Sequence, residues 1–302
     1  MKINLNDDIY IIPDSWDGLS KSQFIRIADL SLQSLPVNQF KLYILLAILN
    51  FKVGKRMFAK SDTSNNKEMC YVLRSIDNPN KIYLVAVSDL AVIINNSLAW
   101  LFKESNVNNK ISLVLNCTLR KSLVSDIYVK GERWYGPADS LNNSIYEEYI
   151  RCLVSASEYS RGDSTGLDRL ICAMYRPGNS VNATDNGDFR NPYNDNLVFH
   201  RAKFVEDLNP GIKIAILLQF NGAVANIAAI FPNAFNKGND NNEVVNNSND
   251  VFMRQLEIID NLAQHRIPEK EQIRQSQLYD VLQTLDNVVK QNKIIKSKFK
   301  HK

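Results

Sequence analysis

The chain has 302 residues, 45% hydrophobic and 23% charged, a composition that supports a substantial buried core without staples. Cys70, Cys117, Cys152 and Cys172 lie far apart with no C-x-x-C pair, which argues against a zinc site or a thioredoxin-like centre and reads as reduced, half-buried thiols. The formal charge of +4 is localised: Lys290 to Lys302 holds six lysines and no acid, leaving the rest at −2, so attraction to nucleic acid or to an acidic partner surface is expected only from that tail.

The polar start, Met1 to Asp8, lacks the basic and apolar regions of a signal peptide, so synthesis in the cytoplasm is expected. Ile9 to Ile12, ended by Pro13, reads as an edge strand. Ser20 and Gln23 form an S-x-x-Q capping box ahead of a helix that buries Phe24, Ile27 and Ala28. After Pro36, Asn38 is placed to cap a second helix carrying Phe40, Tyr43, Ile44, Ala47, Ile48 and Phe51 and ending at Gly54.

From Met57 to Trp134 the texture becomes β-rich, with runs at Met69 to Ile76, Ile82 to Val87 and Ile111 to Thr118, and Asn78-Pro79-Asn80 as the turn between the first two. Asp89 to Lys103 is ambiguous between helix and strand, with at least one short helix capped by Asp89.

Beyond Tyr135-Gly136-Pro137 helices return. One starts at Asn143 or Ser144, and others span Leu167 to Tyr175, Asn194 to Leu208 and Ile212 to Ile230. Ile212 to Phe231 has the length of a membrane span, but Lys213, Gln219, Asn221 and Asn226 make it a buried core helix instead. Asn236 to Asp250 is asparagine-rich and reads as an exposed loop. A helix from Val251 follows, then a break at Pro268 and a last amphipathic helix whose Leu278, Val281, Leu282, Leu285, Val288 and Val289 share one face. That face packs on its own domain or on a neighbouring subunit. Together with Lys293, Lys296, Lys298 and Lys300 it forms the candidate interaction surface.

The expected fold is α+β and predominantly helical. Residues 1–56 and 135–290 form a helical core domain, 57–134 a small β-rich insertion, 236–250 an exposed loop and 291–302 a basic tail.

Catalytic patterns are missing. The three histidines, His200, His265 and His301, form no H-x-x-x-H or H-E-x-x-H spacing, and neither phosphate-binding glycine loop nor nucleophile elbow occurs. Gly162 to Gly166 only superficially resembles an anion nest, with Ser164 or Thr165 the expected helix cap. Adjacent Glu147 and Glu148 cannot face each other on a helix. Asp185 and Asp188 make another unremarkable acidic pair. Trp16, Trp100 and Trp134 lack an interleaved basic stripe, which disfavours sequence-specific nucleic-acid recognition. No enzyme, cofactor or metal is expected.

Several strings, in order, carry a resemblance. Ile9 to Ala28, which contains Ile12-Pro13-Asp14-Ser15-Trp16 and Gln23-Phe24-Ile25-Arg26, is the first block. Tyr135 to Leu141 with the following Glu148-Tyr149 is the second, and Leu170 to Pro177 the third. Gly187-Asp188-Phe189-Arg190-Asn191-Pro192-Tyr193 with Phe231 to Phe235 is the fourth. The chain resembles a family of structural proteins of tailed bacteriophages and prophages of Bacteroidetes, including crAss-like phages. The segment 57–134 and the lysine-rich end fall outside the blocks.

The resemblance implies a non-enzymatic virion protein, a ring-forming subunit of the head-to-tail connector or viral tail. Its expected partners are other tail or neck proteins and copies of itself in a homo-oligomeric ring, with non-specific contact of the basic tail with DNA and no membrane. The alternative is a cytoplasmic tail-assembly chaperone absent from the mature particle. A phage DNA-processing factor is a third class.

Overall fold

A computed structural model describes residues 1–5, 8–63, 66–107, 110–178, 188–235 and 248–300. Among the described residues helices far outweigh strands, an α+β fold in which helices dominate, as expected. It divides into two compact units: residues 1–119 with 210–215, and residues 120–209 with 216–302.

In the first unit, β1 (Lys2–Leu5) and β2 (Asp8–Ile11) form an antiparallel ribbon. The polar reading of the N-terminus missed β1, whose alternation turns Ile3 and Leu5 inward. Trp16 is buried; its Nε1 donates to the Asn116 carbonyl at 2.7 Å, and its ring meets Phe24 and Trp100 edge-on. The capping box forms as expected at the start of α1 (Lys21–Ser31): Ser20 Oγ accepts from the Gln23 amide at 3.3 Å, and Gln23 Oε1 accepts from the Ser20 amide at 2.7 Å.

α2 (Val37–Leu49) begins at Pro36, without the side-chain cap expected from Asn38, and stops five residues before Gly54. Asn50 ends it in the left-handed region at φ 57°, held by a hydrogen bond from Arg26 Nη1 to its side-chain oxygen at 2.7 Å. Phe51 therefore belongs to a strand. β3 (Phe51–Lys60), β4 (Lys67–Ser75) and β5 (Ile82–Ala86) make an antiparallel sheet in that order, with a bulge between Val53 and Arg56. The β4–β5 hairpin matches the sequence reading; β3 was hidden by its basic residues. α3 (Val87–Ser97) resolves the ambiguous segment as helix, with Ala86 rather than Asp89 at its N-cap. β6 (Phe102–Val107) and β7 (Lys110–Leu115) pair as a further hairpin.

In the second unit, β8 (Asp126–Val129) and β9 (Glu132–Tyr135) turn at Lys130 and Gly131, both at positive φ, the conformation a two-residue hairpin needs. α4 (Tyr146–Ser160) and α5 (Ser164–Met174) pack closely at Gly166, where a Cβ would lie 2.6 Å from the Tyr159 backbone nitrogen. The cap of α5 is Asp163, whose carboxylate accepts from the Thr165 amide at 3.0 Å. β10 (Arg176–Pro177) adds to β9. α6 (Asp195–Ala202) is capped by Asn194.

α7 (Pro210–Ile230) is long and apolar enough to cross a membrane by length and composition. Ile216, Phe220, Ala223 and Ile227 are buried, and Gln219, also buried, accepts from the Val124 amide at 2.9 Å. α8 (Ser248–Leu262), α9 (Ile267–Gln275) and α10 (Leu278–Lys300) complete the chain, with Pro268 in the first turn of α9. A single helix after Pro268 was expected; two form, because Ser276 to Leu278 pair with the extended stretch Ser144 to Tyr146. Tyr146 N donates to Ser276 O and Leu278 N to Ser144 O, both at 2.9 Å.

The domain organisation also differs from expectation. The N-terminal helices fall with the β-rich stretch rather than with the C-terminal helices, and the unit boundary lies after Leu119 rather than near Met57 and Trp134. The basic end is no separate tail, since α10 continues to Lys300. Of the expected exposed loop 236–250, residues 236–247 lie outside the described residues, as do Asp185, Gly187, His301 and Lys302.

Candidate functional site

Charged side chains are rarely buried without partners. In the second unit four of them meet: Glu148 in the first turn of α4, Arg176 on β10, and Asp188 and Arg190 beyond it. Arg190 is fully enclosed. Its Nη1 donates to Glu148 Oε1 at 2.6 Å and to the Met174 carbonyl at 2.8 Å; Nη2 and Nε donate to Asp188 Oδ2 and Oδ1 at 2.8 and 2.9 Å. Arg176 Nη1 lies 3.2 Å from Glu148 Oε2 and donates to the Ala173 carbonyl at 2.8 Å, while its Nε donates to Asn191 O at 2.8 Å.

Burial disfavours both cations. At Arg190 the two carboxylates outweigh burial and hold the pKa above the ordinary arginine value, whereas at Arg176 burial prevails and lowers it.

Beside the cluster the backbone at Gly136 touches the Tyr175 ring, so that a Cβ there would stand 2.6 Å from Cε1. Tyr175 is held in turn, donating to the Val124 carbonyl and accepting from Gln219 Nε2 at 3.2 Å. The phenol is fully buried, which raises its pKa.

The four charges cancel, and acceptors of the chain itself saturate the Arg190 guanidinium. The arrangement locks α4, the end of α5 and the 188–193 segment together, and it joins residues from the second, third and fourth sequence blocks. Arg176 and Arg190 were missed as a pair. The available signal was a charge inside the otherwise apolar run Leu170 to Pro177.

The proposed interaction face on α10 divides in two. Leu278, Val281 and Leu282 are buried in their own unit, and Leu285 and Val289 are half-buried. Tyr279 stacks edge-on against Phe231, and Asp286 accepts from the Asn233 and Ala234 amides at 2.6 and 2.9 Å, fixing the proximal helix to the turn after α7. Beyond Asp286 the helix is open: Val288, Ile294 and Ile295 are 41, 47 and 51% exposed. Lys290, Lys293, Lys296 and Lys298 are exposed among them, with Lys293 donating to Asn233 Oδ1 at 3.2 Å. The side chain of Lys300 lies outside the described residues. Leu278, Val281, Leu285, Val288, Asn292 and Ile295 recur at spacings of three and four, a heptad-like apolar stripe interrupted by one asparagine.

The other sequence candidates have ordinary partners. His265 pairs with Asp260 at 2.5 Å, and His200 sits edge-on to Phe204. The loop before α5 is filled by its own Asp163, which accepts from Arg169 Nη2 at 2.5 Å. Glu147 accepts from Gln275 at 3.0 Å, on a different side from Glu148. Among the described residues, no group of three or more histidine, cysteine or acidic side chains comes together in a way that could hold a metal ion.

No family model, curated protein or solved structure matches the chain.

Proposed function

We propose that this protein is a structural subunit of a tailed bacteriophage particle, placed in the head-to-tail connector or tail and acting through protein–protein assembly. The ordered sequence blocks support the phage reading, and the open distal half of α10 supports assembly. That observation carries the proposal: a continuous helix is anchored in its own unit by Leu278, Val281 and Leu282, then extends Val288, Ile294 and Ile295 into solvent. The distal part of this stripe, Val288, Asn292 and Ile295, is exposed over about two turns, and an apolar face of that kind gains stability when another helix covers it. In a cyclic array each subunit would present this helix to a neighbour.

The test is light scattering of the full-length protein and of a Val288→Ser/Ile295→Ser variant, alone and co-expressed with neck and tail proteins. The wild type should associate and the variant should not. Identical masses for the two proteins in both settings would contradict the assignment.

A further inference from the structure

The antiparallel register of β3 and β4 brings together side chains that are far apart in sequence. Arg56 stands opposite Tyr71, Phe58 opposite Met69, and Lys60 opposite Lys67. Residues two apart on a strand share a face, so these three rows lie on the same side of the hairpin. Glu68 belongs to the other face, where it accepts from Ser88 Oγ at 2.9 Å. The rows therefore carry three cations and no acid.

Phe58 is 68% and Met69 48% exposed, and Lys60 and Lys67 are exposed beside them. The Arg56 guanidinium lies over the Tyr71 ring, 4.6 Å from its centroid. Like charges directly opposite each other destabilise a ladder, so the Lys60–Lys67 row is a local cost that a bound anion would relieve. Next to Arg56 and Tyr71 the face opens into a groove of 450 Å³. Its floor includes Leu42, Leu90 and Ile94, and Asn38, Gln39 and Asn95 offer amides at its rim.

We propose that this face and groove bind single-stranded nucleic acid. Lys60 and Lys67 take backbone phosphates, the Phe58 ring stacks a base, and the amides of the groove meet base edges. Exposed rings set between cations are the chemistry that single strands recognise, because every base has a π-face and every nucleotide a charge. An acidic peptide would satisfy the lysines but would leave the exposed ring and the amides of the groove without a specific role. The lysines of α10 belong to the other unit, and the inference does not depend on the assembly reading.

The experiment is fluorescence anisotropy of a labelled thymidine oligomer of about sixteen nucleotides with the full chain, over a range of salt. Two variants separate the parts. Lys67→Glu creates an opposite-charge pair with Lys60, so it should keep or raise Tm while weakening binding at least about tenfold. Phe58→Ala should weaken binding about tenfold with little change in the salt dependence. Absence of binding at low salt would overturn the proposal, as would wild-type affinity in both variants, which would assign binding to the α10 lysines. Displacement of the oligomer by poly-glutamate at equal charge concentration, with Phe58→Ala behaving as wild type, would instead identify an acidic protein as the occupant.

Discussion

Glu148 and Arg190 are 42 residues apart in the chain, yet Oε1 of the first and Nη1 of the second lie 2.6 Å apart in a region where neither side chain meets solvent. Asp188 closes the pair from the other side at 2.8 Å. A guanidinium so enclosed fixes the direction of every group that touches it, since its planar fork accepts partners only along its N–H vectors.

Arg190→Met should therefore destabilise the protein strongly. It leaves two carboxylates near Arg176 alone, and breaking a buried pair on one side costs about 3–5 kcal/mol. Arg190→Lys should rescue little, because an ammonium cannot make the paired contacts. Urea denaturation of the three proteins measures both effects; a loss under about 1 kcal/mol in the methionine variant would contradict a structural role for the cluster.

Gly136→Ala places a methyl against Tyr175, a ring that cannot retreat while Val124 and Gln219 hold its hydroxyl. Overpacking of this kind costs about 1–3 kcal/mol, and thermal unfolding should show a clear fall in Tm. Tyr175→Leu in the same background should restore part of the loss.

Asp195 supplies a pH signature. Burial raises its pKa, but hydrogen bonds from Arg151 and Tyr193 outweigh burial and hold the carboxyl below the ordinary value of 3.8. A carboxyl depressed in the folded state contributes stability above its unfolded pKa and loses that contribution as pH falls through the folded one. The window lies below 3.8. Over that range Asp195→Asn should lose stability less steeply than the wild type, as read by denaturant midpoints at successive pH values.

The two halves of α10 should respond differently to substitution. Leu282→Ala removes a buried side chain and should cost about 2–5 kcal/mol. Ile294→Ser and Ile295→Ser alter exposed positions and, at concentrations where the protein is monomeric, should leave unfolding within about 0.5 kcal/mol of wild type. Equilibrium denaturation separates the classes, and equal losses at all three positions would mean that the distal half is already packed.

What the sequence made legible was local. The Ser20–Gln23 box, the β4–β5 turn and Pro268 in the first turn of α9 each follow from a few neighbouring residues, as did the helix-dominated α+β class. What escaped depends on distant partners. β3 looked unlike a strand because Lys52, Lys55, Arg56 and Lys60 need no burial on an open edge. The break before Leu278 is imposed by hydrogen bonds with Ser144 to Tyr146, for which residues 267–278 carry no signal. The periodicity of Leu278 to Val289 marks one continuous apolar face, to be covered by its own domain or by a neighbour, but only contact with Phe231 and Asn233 determines where burial ends. The Lys60–Lys67 row appears in no linear pattern, because it exists only once the register is set.

Assembly within a phage particle can be read out by quantitative mass spectrometry of purified particles. A structural subunit should be present in the particle at a fixed copy number comparable with other neck or tail components. Its absence from purified particles, together with abundance in the lysate of infected cells, would contradict that claim and identify an assembly chaperone instead.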